Sequence, residues 1–110
     1  MSLDKDGYPT REVLKKIKKW DSIKDPYGLA EFIEDNWWMS DWGYKRRGRK
    51  LELHTGGWSG NEETISVLRQ TFFWAYWVKS VRGGHYYFEL PKKTMLKEPN
   101  PERSVATMMP

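Results

Sequence analysis

The feature that most constrains this chain is a pair of adjacent glycines, Gly83 and Gly84, between two segments rich in aromatic residues. Phe73–Arg82 precedes the pair and Tyr86–Phe88 follows it. Because glycine adopts positive φ without strain, such a pair suits the tight turn of a β-hairpin. The sequence therefore predicts two antiparallel strands here. The alternative is that Phe72–Val78 continues a preceding helix, which would remove the hairpin.

The residues before the hairpin predict two helices, a strand and a third helix. The expected elements are helices over 11–20 and 26–38, a loop over Met39–Arg49, a strand over Lys50–Thr55 and a helix over about 60–71. Asp25 followed by Pro26 is a typical helix start, because the carboxylate caps the first turn and proline lacks an N–H that would go unpaired. The expected fold class is α+β: two N-terminal helices, then strand-helix-strand-strand with a small antiparallel sheet.

Length and composition fit one folded domain. A chain of 110 residues with seven Trp, six Tyr and four Phe is richer in aromatics than disordered chains are. We expect a single domain over 10–91, a flexible lead-in over 1–9 and an extended or mobile tail over 92–110. The lack of cysteine excludes disulfides, zinc–thiolate sites and thiol catalysis. No apolar run approaches the roughly 20 residues of a membrane span, so we expect a cytoplasmic protein without membrane contact. We also expect no cofactor.

Positive charge is concentrated in one short segment of a chain whose net charge is +4. Its cations are Lys45, Arg46, Arg47, Arg49 and Lys50. Such a run indicates either a solvated surface or a patch that contacts the phosphates of nucleic acid.

Strand alternation predicts which side chains share a face of the sheet. With a two-residue turn at the glycine pair, one face collects Trp74, Tyr76, Arg82, His85, Tyr87 and Glu89, together with Glu52 and His54 of the first strand. A three-residue turn would change which sets meet, because a shift of one residue moves every side chain to the other face.

Three interpretations of this face remain open. The two N-terminal helices could cover it as a second packing layer. It could be a recognition platform, because tryptophan and tyrosine anchor interfaces and stack on nucleotide bases. The two histidines with Glu52 or Glu89 could form a metal or acid–base site. Two histidines and a few glutamates meet that last description by chance, so we assign no catalytic or metal-binding residue.

The segment from Leu51 to Leu90 contains the strings Thr-Gly-Gly-Trp-Ser-Gly-Asn-Glu-Glu and Arg-Gly-Gly-His-Tyr-Tyr-Phe-Glu. With these motifs it resembles small uncharacterised proteins encoded by bacteriophages and prophages. The resemblance implies the cytoplasm of a bacterial host cell and an accessory or interaction role. It implies no activity and no functional residue.

The sequence favours a non-enzymatic protein-binding or adaptor module that contacts a protein partner, or a second copy of itself, through the aromatic sheet face or its rim. The alternative is a nucleic-acid-binding module that uses the basic residues 45–50, and a metal-dependent hydrolase comes third. These hypotheses expect different surfaces: a broad apolar patch, an open basic patch, or histidine rings within reach of one metal ion.

Overall fold

The structure, a computed structural model, describes residues 3–4 and 7–93. Its elements are α1 (Arg11–Lys19), α2 (Pro26–Asp35), α3 (Ser40–Gly43), β1 (Tyr44–Arg47), β2 (Lys50–His54), α4 (Ser59–Leu68), a 3₁₀ helix (Phe72–Tyr76), β3 (Trp77–Val81) and β4 (His85–Glu89). The strands form one antiparallel sheet in the order β1-β2-β4-β3. The predicted α+β class is confirmed, and the helices and strands that were predicted follow one another in the predicted order.

The first two helices begin where the sequence predicts. The Thr10 hydroxyl accepts a hydrogen bond from the Val13 N–H at 3.3 Å, and an Asp25 carboxylate oxygen accepts one from the Gly28 N–H at 3.0 Å. Such caps satisfy backbone N–H groups that have no partner within the helix. α2 ends at Asp35, earlier than predicted.

The prediction of a loop over Met39–Arg49 is wrong, because this segment contains α3 and β1. The β1 sequence Tyr-Lys-Arg-Arg shows no apolar alternation, so nothing local marks it as a strand. Its conformation follows from pairing with β2 and from Tyr44, whose buried hydroxyl donates to Ala30 O at 2.8 Å. Gly48, at φ 61°, lies in the turn that joins the two strands.

The predicted hairpin is present, but its turn has three residues rather than two. Val81 pairs with His85, which leaves Arg82, Gly83 and Gly84 in the turn. Both glycines have positive φ, 98° and 84°, a region that other residues enter only with strain. The three-residue turn therefore brings to the histidine-bearing face the β3 side chains that a two-residue turn would put on the opposite face.

The first part of the predicted strand Phe73–Arg82 is a 3₁₀ helix instead. Phe73 is fully buried there, so the segment bends toward the core before β3 begins at Trp77. The register of β3 against β4 then shifts between Trp77 and Lys79, which makes Val78 the extra residue of a β-bulge.

One core lies between the helices and a single face of the sheet, which we call the packed face. Its buried side chains are Val13, Ile17, Leu29, Ala30, Ile33, Trp37, Tyr44, Leu51, Leu53, Ile65, Leu68, Phe73, Phe88 and Leu90. α1, α2 and α4 all contribute to this core. The interpretation that the N-terminal helices cover the histidine-bearing face is therefore wrong.

The described residues before α1 make defined contacts with the domain. The Trp58 indole N–H donates to Gly7 O at 3.2 Å, and the Tyr8 hydroxyl lies 2.8 Å from the Ser59 hydroxyl. The predicted flexibility of residues 1–9 stays a prediction. Most of the predicted tail, residues 94–110, lies outside the described residues. Of the helices that the structure describes, none is long and apolar enough to cross a membrane.

Candidate functional site

The face of the sheet opposite the core is open to solvent. Residues that pair across antiparallel strands point to the same side, so the register defines the membership of this open face. Its side chains are Lys45, Arg47, Lys50, Glu52, His54, Lys79, Val81, His85, Tyr87 and Glu89. Each of them is exposed or half-buried.

The open face is arranged in three rows across the sheet. The middle row is Lys45, Glu52, Tyr87 and Lys79; one outer row is Arg47, Lys50 and Glu89, and the other is His54, His85 and Val81. Cations therefore lie on both edge strands, and the aromatic rings lie on the two central strands.

The two histidines form a direct hydrogen bond on this face. His54 Nδ1 lies 2.7 Å from His85 Nδ1, and His54 Nε2 lies 3.1 Å from a Glu52 carboxylate oxygen. When His54 is neutral with its proton on Nε2, that N–H donates to Glu52 and leaves Nδ1 as an acceptor. His85 then donates its Nδ1–H. Each of the two hydrogen bonds that link Glu52, His54 and His85 then has one donor and one acceptor.

This geometry does not suit a metal ion. A zinc ion bonds each imidazole nitrogen at about 2.0–2.1 Å, whereas here the two Nδ1 atoms occupy each other's hydrogen-bonding position. In the part of the chain that the structure describes, no group of three or more metal-ligating side chains is placed to hold a metal. The predicted proximity of the histidines to a glutamate is real, but the arrangement is a hydrogen-bonded chain.

Aromatic rings continue the open face beside the histidines. Tyr87 is half-buried, with the Lys79 ammonium 5.0 Å from its ring centre and the His54 ring nearly perpendicular at 5.9 Å. Trp42 of α3 lies beyond His54, at 6.1 Å between ring centroids, and its side chain is 52% exposed. The face thus offers one central ring and one ring at its corner.

The basic run forms the β1–β2 hairpin and divides between the two sides of the sheet. Lys45, Arg47 and Lys50 belong to the open face, whereas Arg46 points to the opposite side. Arg49 lies in the turn and pairs with Glu89 at 3.1 Å. A depression of about 820 Å³ follows this edge and is lined by Glu34, Tyr44, Lys45, Arg46, Arg47, Lys50 and Glu52.

Three residues predicted for the histidine-bearing face lie elsewhere. Trp74 packs on the packed face, edge to face with Phe88 at 5.3 Å between centroids. Tyr76 donates its hydroxyl to Ser22 O at 3.1 Å, also on the core side. Arg82 is an exposed turn residue. The predicted grouping of these three with the histidines is wrong, because the turn has three residues and the strand begins later.

The outer strand β3 forms an apolar rim at the far edge of the sheet. Every residue of β3 is exposed, and Trp77, Val78 and Val81 are 42%, 54% and 47% exposed. Phe72, in the preceding 3₁₀ helix, adds a further exposed ring. This rim differs from β1, the other edge strand, whose exposed residues are all basic.

Several residues of these surfaces are not predicted from the sequence. A two-residue turn puts Lys79 on the opposite face, whereas the three-residue alternative puts it on the open face. Trp42 has no signal in the sequence, because nothing there predicts α3. Lys92 and Lys93 fall in the predicted tail, although both line a depression with Arg46.

Comparisons of the chain with protein-family models, curated proteins and solved structures find no match. The expected origin in a bacteriophage or prophage stays a prediction. The open face, the basic hairpin and the apolar rim are therefore interpreted from their own chemistry.

Proposed function

We propose that this protein is a non-enzymatic module that binds single-stranded nucleic acid on its open face. The proposal rests on four exposed cations, which are Lys45, Arg47, Lys50 and Lys79. Within the part of the chain that the structure describes, none of them forms an ion pair with a carboxylate. Exposed cations without carboxylate partners are available to replace the counterions of phosphate groups, which is the main source of affinity for nucleic acids.

The aromatic residues of the open face supply a place for bases. Tyr87 lies in the middle row between cations on both edges, and Trp42 lies at the corner. Base stacking on such rings contributes about 1–3 kcal/mol per base. The Lys79 ammonium lies above the Tyr87 ring. When a base stacks on that ring, the ammonium can move aside and bind a neighbouring phosphate.

The shape of the face favours single strands over duplexes. Its width from β1 to β3 is three strand spacings, about 14 Å. Four-stranded sheets with rings on their central strands stack two or three unpaired bases. Tyr87 is half-buried at the centre of the sheet, where only a base outside a duplex can lie flat against it.

The test is binding of fluorescent oligothymidylate and oligouridylate, measured by anisotropy over a range of salt concentrations. Replacing Lys45, Arg47 and Lys50 together with Gln should weaken binding about 100-fold at low salt. The slope of log affinity against log salt should fall by about 2, since each phosphate contact on a single strand releases about 0.7 counterions. Tyr87→Leu should weaken binding about tenfold and leave the salt slope unchanged, because it removes stacking only.

The matched control replaces three exposed lysines of α1, namely Lys15, Lys18 and Lys19, with Gln. It changes net charge by the same amount but leaves the open face intact, so affinity should stay within about threefold. Equal losses in both triple variants would show that net charge alone attracts the ligand. Lack of binding to either oligonucleotide at low salt would reject the proposal.

The apolar rim favours a second candidate function, the protein-binding module that the sequence suggested first. Trp77, Val78 and Val81 offer apolar contacts on an edge strand, where a partner's extended segment could lie. A symmetric pairing of two β3 strands centred on Lys79 would place like charges opposite each other, which is unfavourable. The rim therefore suits a different protein better than a second copy.

Affinity capture from bacterial lysate, with and without nuclease, separates the two candidates. A protein that survives nuclease and is lost when Trp77 and Val81 are replaced with Lys would support the second candidate. Loss of all captured material after nuclease would support nucleic-acid binding. The control for the rim variant is Ile23→Lys, which changes another exposed apolar residue far from β3 in the sequence.

A further inference from the structure

A second concave basic surface lies behind the β1–β2 hairpin, on the side opposite the open face. It is a depression of about 400 Å³, and we call it the Tyr27 pocket. Its lining is Tyr27, Arg46, Gly48, Arg49, Lys92 and Lys93. Four of these six residues are cationic, and the lining as a whole comes from three separate parts of the chain.

Two of the cations contact the ring of Tyr27. Its hydroxyl donates to Pro91 O at 2.7 Å, which fixes the ring at the start of α2. The Lys93 ammonium lies 4.8 Å from the ring centre, and the Arg46 guanidinium carbon lies 5.6 Å from it. Arg46 also donates from Nη1 to Gly48 O at 2.7 Å. The ring and the turn therefore hold both cations in place before any ligand arrives.

Arg49 is fixed in the same way. Its Nε donates to Leu90 O at 3.0 Å, and its Nη2 pairs with Glu89 at 3.1 Å. Among the described residues, Glu89 is the one carboxylate that forms an ion pair with a cation of the pocket. Arg46 and Arg49 each have five N–H donors, so both keep donors for a ligand.

We propose that the Tyr27 pocket binds a phosphate dianion. Four cations with one carboxylate repel one another, and a group with two negative charges would relieve that repulsion. Guanidinium groups match phosphate oxygens with paired hydrogen bonds, which favours phosphate over a simple monoanion. The pocket is larger than a phosphate ion, so it has room for an attached group. The ligand is either free inorganic phosphate or the 5′-terminal phosphate of a nucleic-acid strand.

The first experiment titrates inorganic phosphate into the full chain at constant ionic strength, with isothermal titration calorimetry as the readout. Replacing Lys92 and Lys93 with Gln should weaken phosphate binding about tenfold, since two of the four cations are neutralised. Replacing Lys18 and Lys19 with Gln is the matched control and should leave the affinity within about twofold. Wild-type protein that does not bind phosphate, or equal losses in both variants, would overturn the proposal.

The second experiment identifies the source of the phosphate. Oligothymidylate with a 5′-phosphate should bind at least fivefold tighter than the same strand with a 5′-hydroxyl if the strand end is the ligand, and the Lys92/Lys93 variant should lose that preference. Equal affinities, together with measurable phosphate binding, would support free phosphate as the ligand. The Lys45→Gln, Arg47→Gln, Lys50→Gln variant should still bind phosphate, so failure of the open-face proposal would leave this one intact.

Discussion

The two faces of the central strands β2 and β4 differ in burial, although residues of the two faces alternate along each strand. Leu51, Leu53 and Phe88 are almost completely buried against the helices. Their neighbours in sequence, such as Glu52 and Tyr87, lie on the open face and keep contact with solvent. Burial of a large apolar side chain contributes about 1.5–3 kcal/mol, so the packed face carries most of the stability that the sheet provides.

Because the two faces differ in burial, substitutions on one face should affect folding and substitutions on the other should affect binding. A change on the packed face removes apolar burial and leaves a cavity, so it should lower the free energy of unfolding. A change on the open face replaces groups that are already hydrated, so it should alter binding with little effect on folding. Adjacent residues of one strand can therefore test the assignment of each face.

The largest expected effect comes from Phe88. Phe88→Ala should lower the free energy of unfolding by about 3–5 kcal/mol, because the ring is 2% exposed and packs against Phe73 and Trp74. Tyr87→Ala, one residue earlier, should cost about 1 kcal/mol or less, since its ring has Lys79 and solvent around it. Urea denaturation of both variants measures the difference. Similar losses would show that the two faces share the core.

The next effect in size concerns Tyr44, on the packed face of β1. Burial, with a contribution from Glu34, raises the pKa of Tyr44 from 10.0 to about 12. Because the pKa is higher in the folded protein than in the unfolded chain, the contribution of the neutral Tyr44 hydroxyl to stability is complete below about pH 10 and is lost as the pH rises to about 12. Over that range the free energy of unfolding should fall by up to about 3 kcal/mol.

Tyr44→Phe should cost about 1 kcal/mol near neutral pH, because the hydrogen bond to Ala30 O is lost. It should also flatten the alkaline loss of stability relative to wild type. Denaturation of both proteins from pH 8 to pH 12 gives the comparison, because the two proteins differ only in this hydroxyl group. Parallel curves would place the Tyr44 hydroxyl in water, against the assignment of this residue to the packed face.

The sequence was sufficient for α1, α2, α4, β2 and the hairpin, because each has a local signal: a cap, a helical periodicity, an alternation or a glycine pair. It was insufficient for β1, whose strand conformation depends on pairing with β2. It also misassigned Trp74 and Tyr76, since turn length and the bulge at Val78 depend on tertiary packing. The basic hairpin was visible as a run of cations, but the contribution of Lys93 to its reverse side was not.

The glycine that sets the turn offers a test of intermediate size. A Cβ at Gly84 would overlap the Thr55 hydroxyl, and φ there is 84°. Gly57 also has positive φ, 75°, but a Cβ there would meet nothing within 4 Å. Gly57→Ala should therefore cost about 1 kcal/mol from backbone strain alone, and Gly84→Ala about 2 kcal/mol or more. Equal costs would mean that Thr55 moves away freely and does not fix the register that separates the faces.

The smallest expected effect concerns the histidine pair, which is the open face's own contribution to stability. A double-mutant cycle of His54→Ala and His85→Ala should give a coupling of about 0.5–1.5 kcal/mol at pH 8, the value of one hydrogen bond. The groups that face the pair are Glu52, Tyr87 with Lys79 above it, and Trp42.

Of these groups, Glu52 forms a hydrogen bond with the pair, and it contacts His54 rather than His85. A carboxylate at this position accepts the His54 Nε2–H, which leaves His54 Nδ1 to accept a hydrogen bond from the His85 Nδ1–H. Glu52→Gln should therefore reduce the coupling, because an amide can also donate to His54 Nε2, while Glu89→Gln on the same face is the control. A coupling that is the same with and without the Glu52 carboxylate would mean that the imidazoles contribute through packing, and the open face would then resemble the packed face more than its chemistry indicates.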